Sequence, residues 1–246
     1  MSTYIRFAIL SLLLIAIPSA ANAQKSPIID FDQANALYAE GKFEEAATAY
    51  QKLLPEHQSA SVHYNLGNAY YHLGEYGPAI LHFEKALALD PRNPDIRANL
   101  ELTQEAAQLT PPPPLWAEIV ADFAPVNTWT WLAVVSFWVA AALLLLAPLY
   151  RWKGPLRGGL TALSILILIA SGIGLYGWHV RGSYGVVLTD EATLSVAPTA
   201  SSPGAGSVKA GELARIRKQH GDYYLVTVGD NKFGWLPNTV FSPVWD

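Results

Sequence analysis

The side chains that usually do chemistry are sparse here and poorly placed for it. Six histidines are scattered along the chain. His63, His72 and His82 fall closest together, but their spacing does not put them on one helix face, so they read as surface or packing residues and not as metal ligands. Acidic pairs such as Glu44-Glu45 and Asp190-Glu191 sit in turns or on solvated faces. There is no cysteine, which excludes disulfides, thiolate metal sites and cysteine nucleophiles. No glycine-rich phosphate loop, nucleophile elbow or metalloprotease motif occurs. The sequence therefore offers no catalytic, cofactor-binding or metal-ligating set, and the expectation is a protein that is not an enzyme. What it does offer is recognition chemistry. Asn35 and Asn68 occupy equivalent places 33 residues apart. A primary amide can bond both the N–H and the C=O of an extended peptide backbone.

The elements that would position such residues begin with composition. Of 246 residues, 51% are hydrophobic and only 15% charged, and mean hydropathy is +0.20. That is too apolar for a wholly soluble chain, so membrane segments are expected. The formal charge of -4 is mild and no basic patch stands out, so nucleic acid is not an expected partner. At the N-terminus Arg6 precedes an apolar run from Phe7 to Ile17, broken by Pro18. Ala21-Asn22-Ala23 then forms a small-x-small site, predicting signal cleavage before Gln24. The alternative is an uncleaved N-terminal anchor.

Two similar stretches follow. Leu66-Gly67, Tyr70, Gly74, Tyr76, Ala79, Phe83, Ala86 and Pro91 form a spaced series. Ala34, Leu37, Gly41, Phe43, Ala46, Tyr50 and Leu53 repeat it 33 residues earlier. Gly67 and Ala79 are small where two helices would cross, Tyr70 and Phe83 fill the space beside them, Gly74 allows the turn and Pro91 stops the second helix. The series resembles the tetratricopeptide repeat, with Ala34 in place of the usual glycine in the first copy. Pro94 to Leu109 begins like a third copy and then turns polar, as a capping helix does. In tetratricopeptide proteins ligands lie along the first helices of the pairs. The resemblance thus implies a peptide groove at Asn35, Tyr38, Tyr64, Asn65, Asn68 and Tyr71. The competing reading is that these are solvated polar residues and half-buried aromatics.

Thr110 to Pro114 is a stiff proline spacer. Leu115 to Phe123 follows, with Trp116, Ile119, Val120 and Phe123 opposite Glu118 and Asp122, which suits a short amphipathic helix at a membrane surface. Trp129 to Leu149 and Leu160 to Trp178 are uncharged and long enough to span a bilayer. The link between them carries Arg151, Lys153 and Arg157 and no acid, so the positive-inside rule places it in the cytoplasm. Both soluble parts then face the opposite side, in agreement with the signal segment. Neither span holds an ionisable residue, which argues for an anchor over a conduction path. Ala170 and Gly174, with Ser136 and Ala140 across the hairpin, are expected to let the spans pack closely.

From Tyr184 the chain changes to short alternating strands, with Ala197 to Ser207 as a loop and a hairpin turn at Gly229-Asp230-Asn231. Leu194-Ser195-Val196-Ala197-Pro198, the Gly211 turn, Tyr223-Tyr224-Leu225-Val226 and Gly234-Trp235-Leu236 resemble a bacterial SH3 domain, with Ala197 where that family usually has arginine. Such domains bind peptides or cell-wall components, which implies a ligand surface at Tyr223, Phe233, Trp235 and Pro237. The alternative makes Trp235 and Tyr224 core residues.

The fold class expected is therefore multidomain: an α-helical tetratricopeptide solenoid, a two-helix transmembrane hairpin and a small all-β SH3-like barrel. The expected divisions are signal peptide 1–23, repeats with cap 24–109, proline spacer and interfacial helix 110–127, spans 128–150 and 158–178 about a loop 151–157, and SH3-like domain 184–246. This order of parts resembles the BatE proteins of the Bat aerotolerance cluster. The resemblance implies a bacterial inner-membrane protein with both soluble parts in the periplasm. It also implies envelope partners of the von Willebrand A-domain type and a MoxR-type ATPase. Two functions follow as expectations: a scaffold that captures envelope proteins through its repeats, or a sensor whose SH3-like module binds peptidoglycan or a peptide. A third option has the barrel holding its own Pro111 to Pro114 run.

Overall fold

The computed structural model describes residues 27–110, 112–149, 152, 154–229 and 232–245. The signal segment with its cleavage residues Ala21, Ala23 and Gln24 lies outside the described residues, as do Pro111, Tyr150, Arg151, Lys153 and the Asp230-Asn231 turn.

Among the described residues, five helices come first: α1 Pro27–Ala39, α2 Phe43–Leu53, α3 Ala60–Leu73, α4 Tyr76–Leu89 and α5 Pro94–Ala106. Successive helices pack on one another, and α1, α3 and α5 are also neighbours. Each pair turns on a glycine in the left-handed region: Gly41 and Gly74 both have φ of 76°, a conformation that a side chain would strain. Ser59 caps α3 by accepting from Val62 N–H at 3.2 Å. Asn93 caps α5, with Pro94 at its first position. Small residues meet large ones across the crossings. Ala34, Ala46, Ala79 and Ala86 are fully buried beside Tyr50 and Phe83, and Gly67 lies against the Phe83 ring with no room for a Cβ.

The short helix α6 (Trp116–Ala121) leads into α7 (Val126–Leu149) and α8 (Pro155–Gly182). These last two pack along their length. Among the described residues, Gly177, Trp178 and Val180 are buried nearer the end of α8, and Trp129, Ser136, Ala140 and Leu143 on α7 and Ser164, Ser171 and Gly174 on α8 are buried along this pair. Their spacing near 3.5 residues is that of a left-handed helix pair. Ala170 is exposed, so that expectation is corrected: Ser171, one residue on, takes the seam. The Ser164 and Ser171 hydroxyls donate to the carbonyls four residues back, at 2.7 Å each, which satisfies them in apolar surroundings. Away from the seam the helices are bare: Trp131, Trp138, Leu145 and Leu166 are 69%, 66%, 69% and 63% exposed. Both helices are long and apolar enough to cross a membrane. Helix α8 runs past the expected 178 to Gly182.

Seven strands follow: β1 Tyr184–Val187, β2 Ala192–Ser195, β3 Gly204–Val208, β4 Leu213–His220, β5 Tyr223–Val228, β6 Lys232–Pro237 and β7 Phe241–Pro243. They form one antiparallel sheet in the order β3-β2-β6-β5-β4-β1-β7. It curls around Leu194, Val208, Val226, Leu236 and Phe241. Strands β3 and β7 are its edges, so the sheet is a half-barrel. The helical region and the sheet share a core. Val186 and Val244 lie in one buried cluster with Ile80, Phe83 and Leu87 of α4 and Ile96 and Leu100 of α5. Gly77 meets the backbone carbonyls of Val187 and Leu188 so closely that a Cβ would stand 2.5 Å from the Leu188 oxygen.

Candidate functional site

The first helices of the repeats, α1, α3 and α5, carry a ladder of asparagines. Asn35 Oδ1 accepts from the Tyr50 hydroxyl at 2.6 Å and from Asn65 Nδ2 at 2.9 Å. One repeat later, Asn68 Oδ1 accepts from Asn99 Nδ2 at 2.7 Å, and the same Asn99 amide reaches the Tyr64 hydroxyl at 3.0 Å. The exchange is thus made twice. An asparagine accepts from an asparagine on the first helix of the next repeat, with acceptors 33 and donors 34 residues apart. Both lone pairs of Asn35 Oδ1 are engaged. The Asn35 and Asn68 Nδ2 groups make no hydrogen bond among the described residues. The two-way backbone bonding expected of Asn35 is therefore narrowed: it has donors to offer and no free acceptor.

The tyrosines form a second group. Tyr38 meets Phe43 and His72 edge-on, with centroids 5.3 and 5.7 Å apart. His72 stacks on Phe43 at 4.3 Å and meets the Tyr71 ring edge-on at 5.7 Å. The structure thus joins Asn35 to Asn65, joins Tyr64 to Asn68 through Asn99, and joins Tyr38 to Tyr71 through His72. All six groove residues are half-buried. Asn99 and His72 were missed, although the 34-residue step from Asn65 to Asn99 was a usable signal. Burial raises the Tyr38 hydroxyl above its ordinary pKa and pushes Tyr50 to about 12, so both remain protonated donors near neutrality.

Two of the histidines meet from different helices. His63 and His82 are 4% and 9% exposed, and their Nδ1 atoms lie 3.0 Å apart. One nitrogen must donate and the other accept. Burial, aided by His63, holds His82 down to about 3, so its ring is neutral near neutral pH. No group of three or more metal-ligating side chains occurs among the described residues.

The sheet presents a different surface. Tyr223 pairs with Pro237, Leu225 with Trp235 and Thr227 with Phe233. Tyr223, Phe233, Trp235 and Pro237 therefore lie on one face, opposite the buried Val226 and Leu236. Phe233 is 71% exposed, and His220 meets Trp235 edge-on at 6.4 Å. Trp235 thus belongs to the outer face, whereas Tyr224 packs inward, 5.5 Å from the Phe241 ring.

A charged junction lies where the parts converge. Asp122 stands 2.8 Å from Arg181 at the end of α8 and 3.9 Å from Arg97 on α5. Glu84 of α4 faces a cavity of about 300 Å³ there, with Arg97, Glu118, Arg181, Tyr184 and the rings of Pro112 to Pro114. Burial raises its carboxyl to about 7 despite the opposing pull of Arg181 and Arg97.

No curated protein matches the chain. Residues 31–94, which carry Asn35, Asn65 and Asn68, match the tetratricopeptide repeat, a non-catalytic interaction fold.

Proposed function

We propose that the chain is a membrane-anchored scaffold that captures extended segments of other proteins along α1, α3 and α5. The observation that carries this reading is the twice-made asparagine exchange, which locks the acceptors and leaves the Asn35 and Asn68 N–H groups for a ligand's carbonyls. In this reading α7 and α8 form the anchor, the Arg151-Lys153-Arg157 link is cytoplasmic, and the repeats and sheet occupy the periplasm of a bacterial envelope as two modules. The positive link and the signal-like N-terminus support that orientation. The resemblance to BatE proteins supports partners of the von Willebrand A-domain type and a MoxR-type ATPase system. A second reading rests on the exposed Phe233 beside Trp235, Tyr223 and Pro237. There the sheet, as an SH3-like module, binds peptidoglycan or a peptide.

The test is photocrosslinking in intact membranes from Tyr71, and in parallel from Trp235, with and without N35D/N68D. Aspartate keeps the acceptor that Tyr50, Asn65 and Asn99 use, while it replaces the free donors with a charged acceptor oxygen that repels a ligand's carbonyls. Alanine would instead leave the buried Tyr50 hydroxyl unpaired, at about 1–3 kcal/mol. Adducts with envelope proteins at Tyr71, reduced several-fold in the double variant, are expected. Adducts only from Trp235 would transfer the function to the sheet.

A further inference from the structure

Helix α6 is built inside out. The outward residues of α6 and of the turn that follows it are Trp116, Ile119 and Phe123, which are 62%, 53% and 67% exposed. Its carboxylates face the protein. Glu118 is 8% exposed and accepts from Leu115 N–H at 2.8 Å, and Asp122 is ion-paired with Arg181. Ala117 and Ala121 are wholly buried. A helix lying on a water-facing surface has the reverse arrangement, with its apolar stripe on the core and its charges in solvent.

The helix is also firmly fixed. Gly177 of α8 approaches Ala117 so closely that a Cβ would lie 2.0 Å from the Ala117 oxygen. Trp129 Nε1–H donates to the Ala121 carbonyl and Trp178 Nε1–H to the Ala124 carbonyl, both at 3.2 Å. Its level is fixed by the same contacts. Helix α8 has 28 residues, about 42 Å, and a hydrocarbon core of ~30 Å takes about 20 of them. Gly177 and Trp178 lie within the last turns of α8, where such a helix leaves the hydrocarbon. The chain passes from α6 straight into the bare start of α7, where Val126, Trp131 and Leu132 are 37%, 69% and 40% exposed and only uncharged Asn127, Thr128 and Thr130 are exposed between them.

We propose that Trp116, Ile119 and Phe123 are seated in the headgroup–acyl boundary of a lipid bilayer, as a foot that holds the helical repeats and the sheet at one height on the membrane. The occupant is lipid because the face carries no charge, leads directly along the chain into the bare start of α7, and belongs to a segment whose two carboxylates are turned away from it. The foot holds the soluble body through Asp122, which meets Arg97 of α5 and Arg181 of α8, and whose carbonyl accepts from Arg92. This inference rests on the reading of α7 and α8 as membrane spans, and the test separates the two.

The chain has no cysteine, so single labels are clean. Ile119→Cys, Phe123→Cys, Leu166→Cys in mid-α8 and Leu89→Cys on the repeats each carry an environment-sensitive fluorophore. The full chain is reconstituted in phosphatidylethanolamine–phosphatidylglycerol vesicles. Nitroxide-bearing lipids with the spin just below the headgroup or near the chain end are compared with aqueous iodide. The labels at 119 and 123 are expected to be quenched roughly two-fold more by the shallow nitroxide than by the deep one. The order should reverse at 166, and 89 should respond to iodide alone. Iodide quenching at 119 and 123 with lipid quenching at 166 overturns the foot and leaves the spans. Absence of lipid quenching at 166 overturns the span reading, and the foot with it. Shielding of 119 and 123 from both quenchers means protein covers the face, which also overturns the proposal.

Discussion

Glu84 and His82 stand two residues apart on α4 and have opposite effects on stability as pH changes. Burial raises Glu84 to about 7 in the fold. Above its ordinary value the folded chain then holds a proton that the unfolded chain has lost, and stability falls as pH rises through about 4.5 to 7. His82 is lowered to about 3, so the unfolded chain binds a proton first and stability falls as pH drops from about 6.5 to 3. The groups facing Glu84 are Arg97 from α5, Glu118 from α6 and Arg181 from α8. Glu84→Gln removes the first effect alone. The variant is expected to exceed the parent by on the order of 2 kcal/mol near pH 8 and to match it near pH 4.5. Thermal unfolding of the full chain in detergent, followed by circular dichroism, reads this; an equal difference at both pH values would assign Glu84 another role. At this scale the sequence was partly legible. The repeat period placed Asn35 and Asn68 correctly because equivalent positions on stacked pairs meet equivalent neighbours. Asn99 was harder to see because the third copy turns polar soon after it, so its helix reads as a cap and not as part of the groove. Glu84 was invisible, since its environment comes from three elements distant in sequence.

Among the elements, helices were easier to read than strands. Small-large alternation at helical spacing marked α1 to α4, and unbroken apolar runs marked α7 and α8. Strand β3 reads Gly-Ala-Gly-Ser-Val, with no apolar alternation, and is a strand only because Ala192 to Ser195 pairs with it. Strand β7 has three residues, ends in Pro243 and pairs with β1. Helix α6 was expected to be a short amphipathic helix at a membrane surface, with no expectation of which face meets the rest of the protein. Periodicity gives a stripe and not the side on which the protein lies. The structure fixes that side by Gly177, and a prediction follows. Gly177→Val forces a side chain into the Ala117 carbonyl, which sits on backbone that cannot yield cheaply. It should separate α6 from α8 at about 1–3 kcal/mol, while the Ser136–Ser171 portion of the hairpin stays closed. A label at Ile119 should then broaden in its depth response and a label at Leu166 should not. Equal change at both positions would mean that the whole hairpin has shifted.

The repeats and the sheet do not behave as beads on a string, because α4 is a shared wall. Its one side packs on α3 and α5; its other side, through Gly77 and Ile80, packs on the sheet. Ile80 is wholly buried and lies against Gly211. Two pairs and a cap are near the lower limit for an independent solenoid, and the sheet supplies the cover that further repeats would give. A chain cut before Tyr184 would lose Val186, Leu188, Leu213, Val244 and Trp245 from the core that α4 and α5 share with the sheet. Loss of partner binding by such a truncation therefore says nothing about which surface binds. The consequence for unfolding is specific. Ile80→Ala should cost about 2–5 kcal/mol. If the shared wall makes the soluble body one cooperative unit, that loss appears equally in amides of α4 and in those of β4 and β5, which Ile80 does not belong to. Hydrogen exchange of the full chain in lipid nanodiscs measures both. Matching losses support one unit in which a ligand in the groove stabilises the sheet by the same free energy. Faster exchange confined to residues 60–106 would show that the repeats open alone and that groove occupancy is not felt beyond α4.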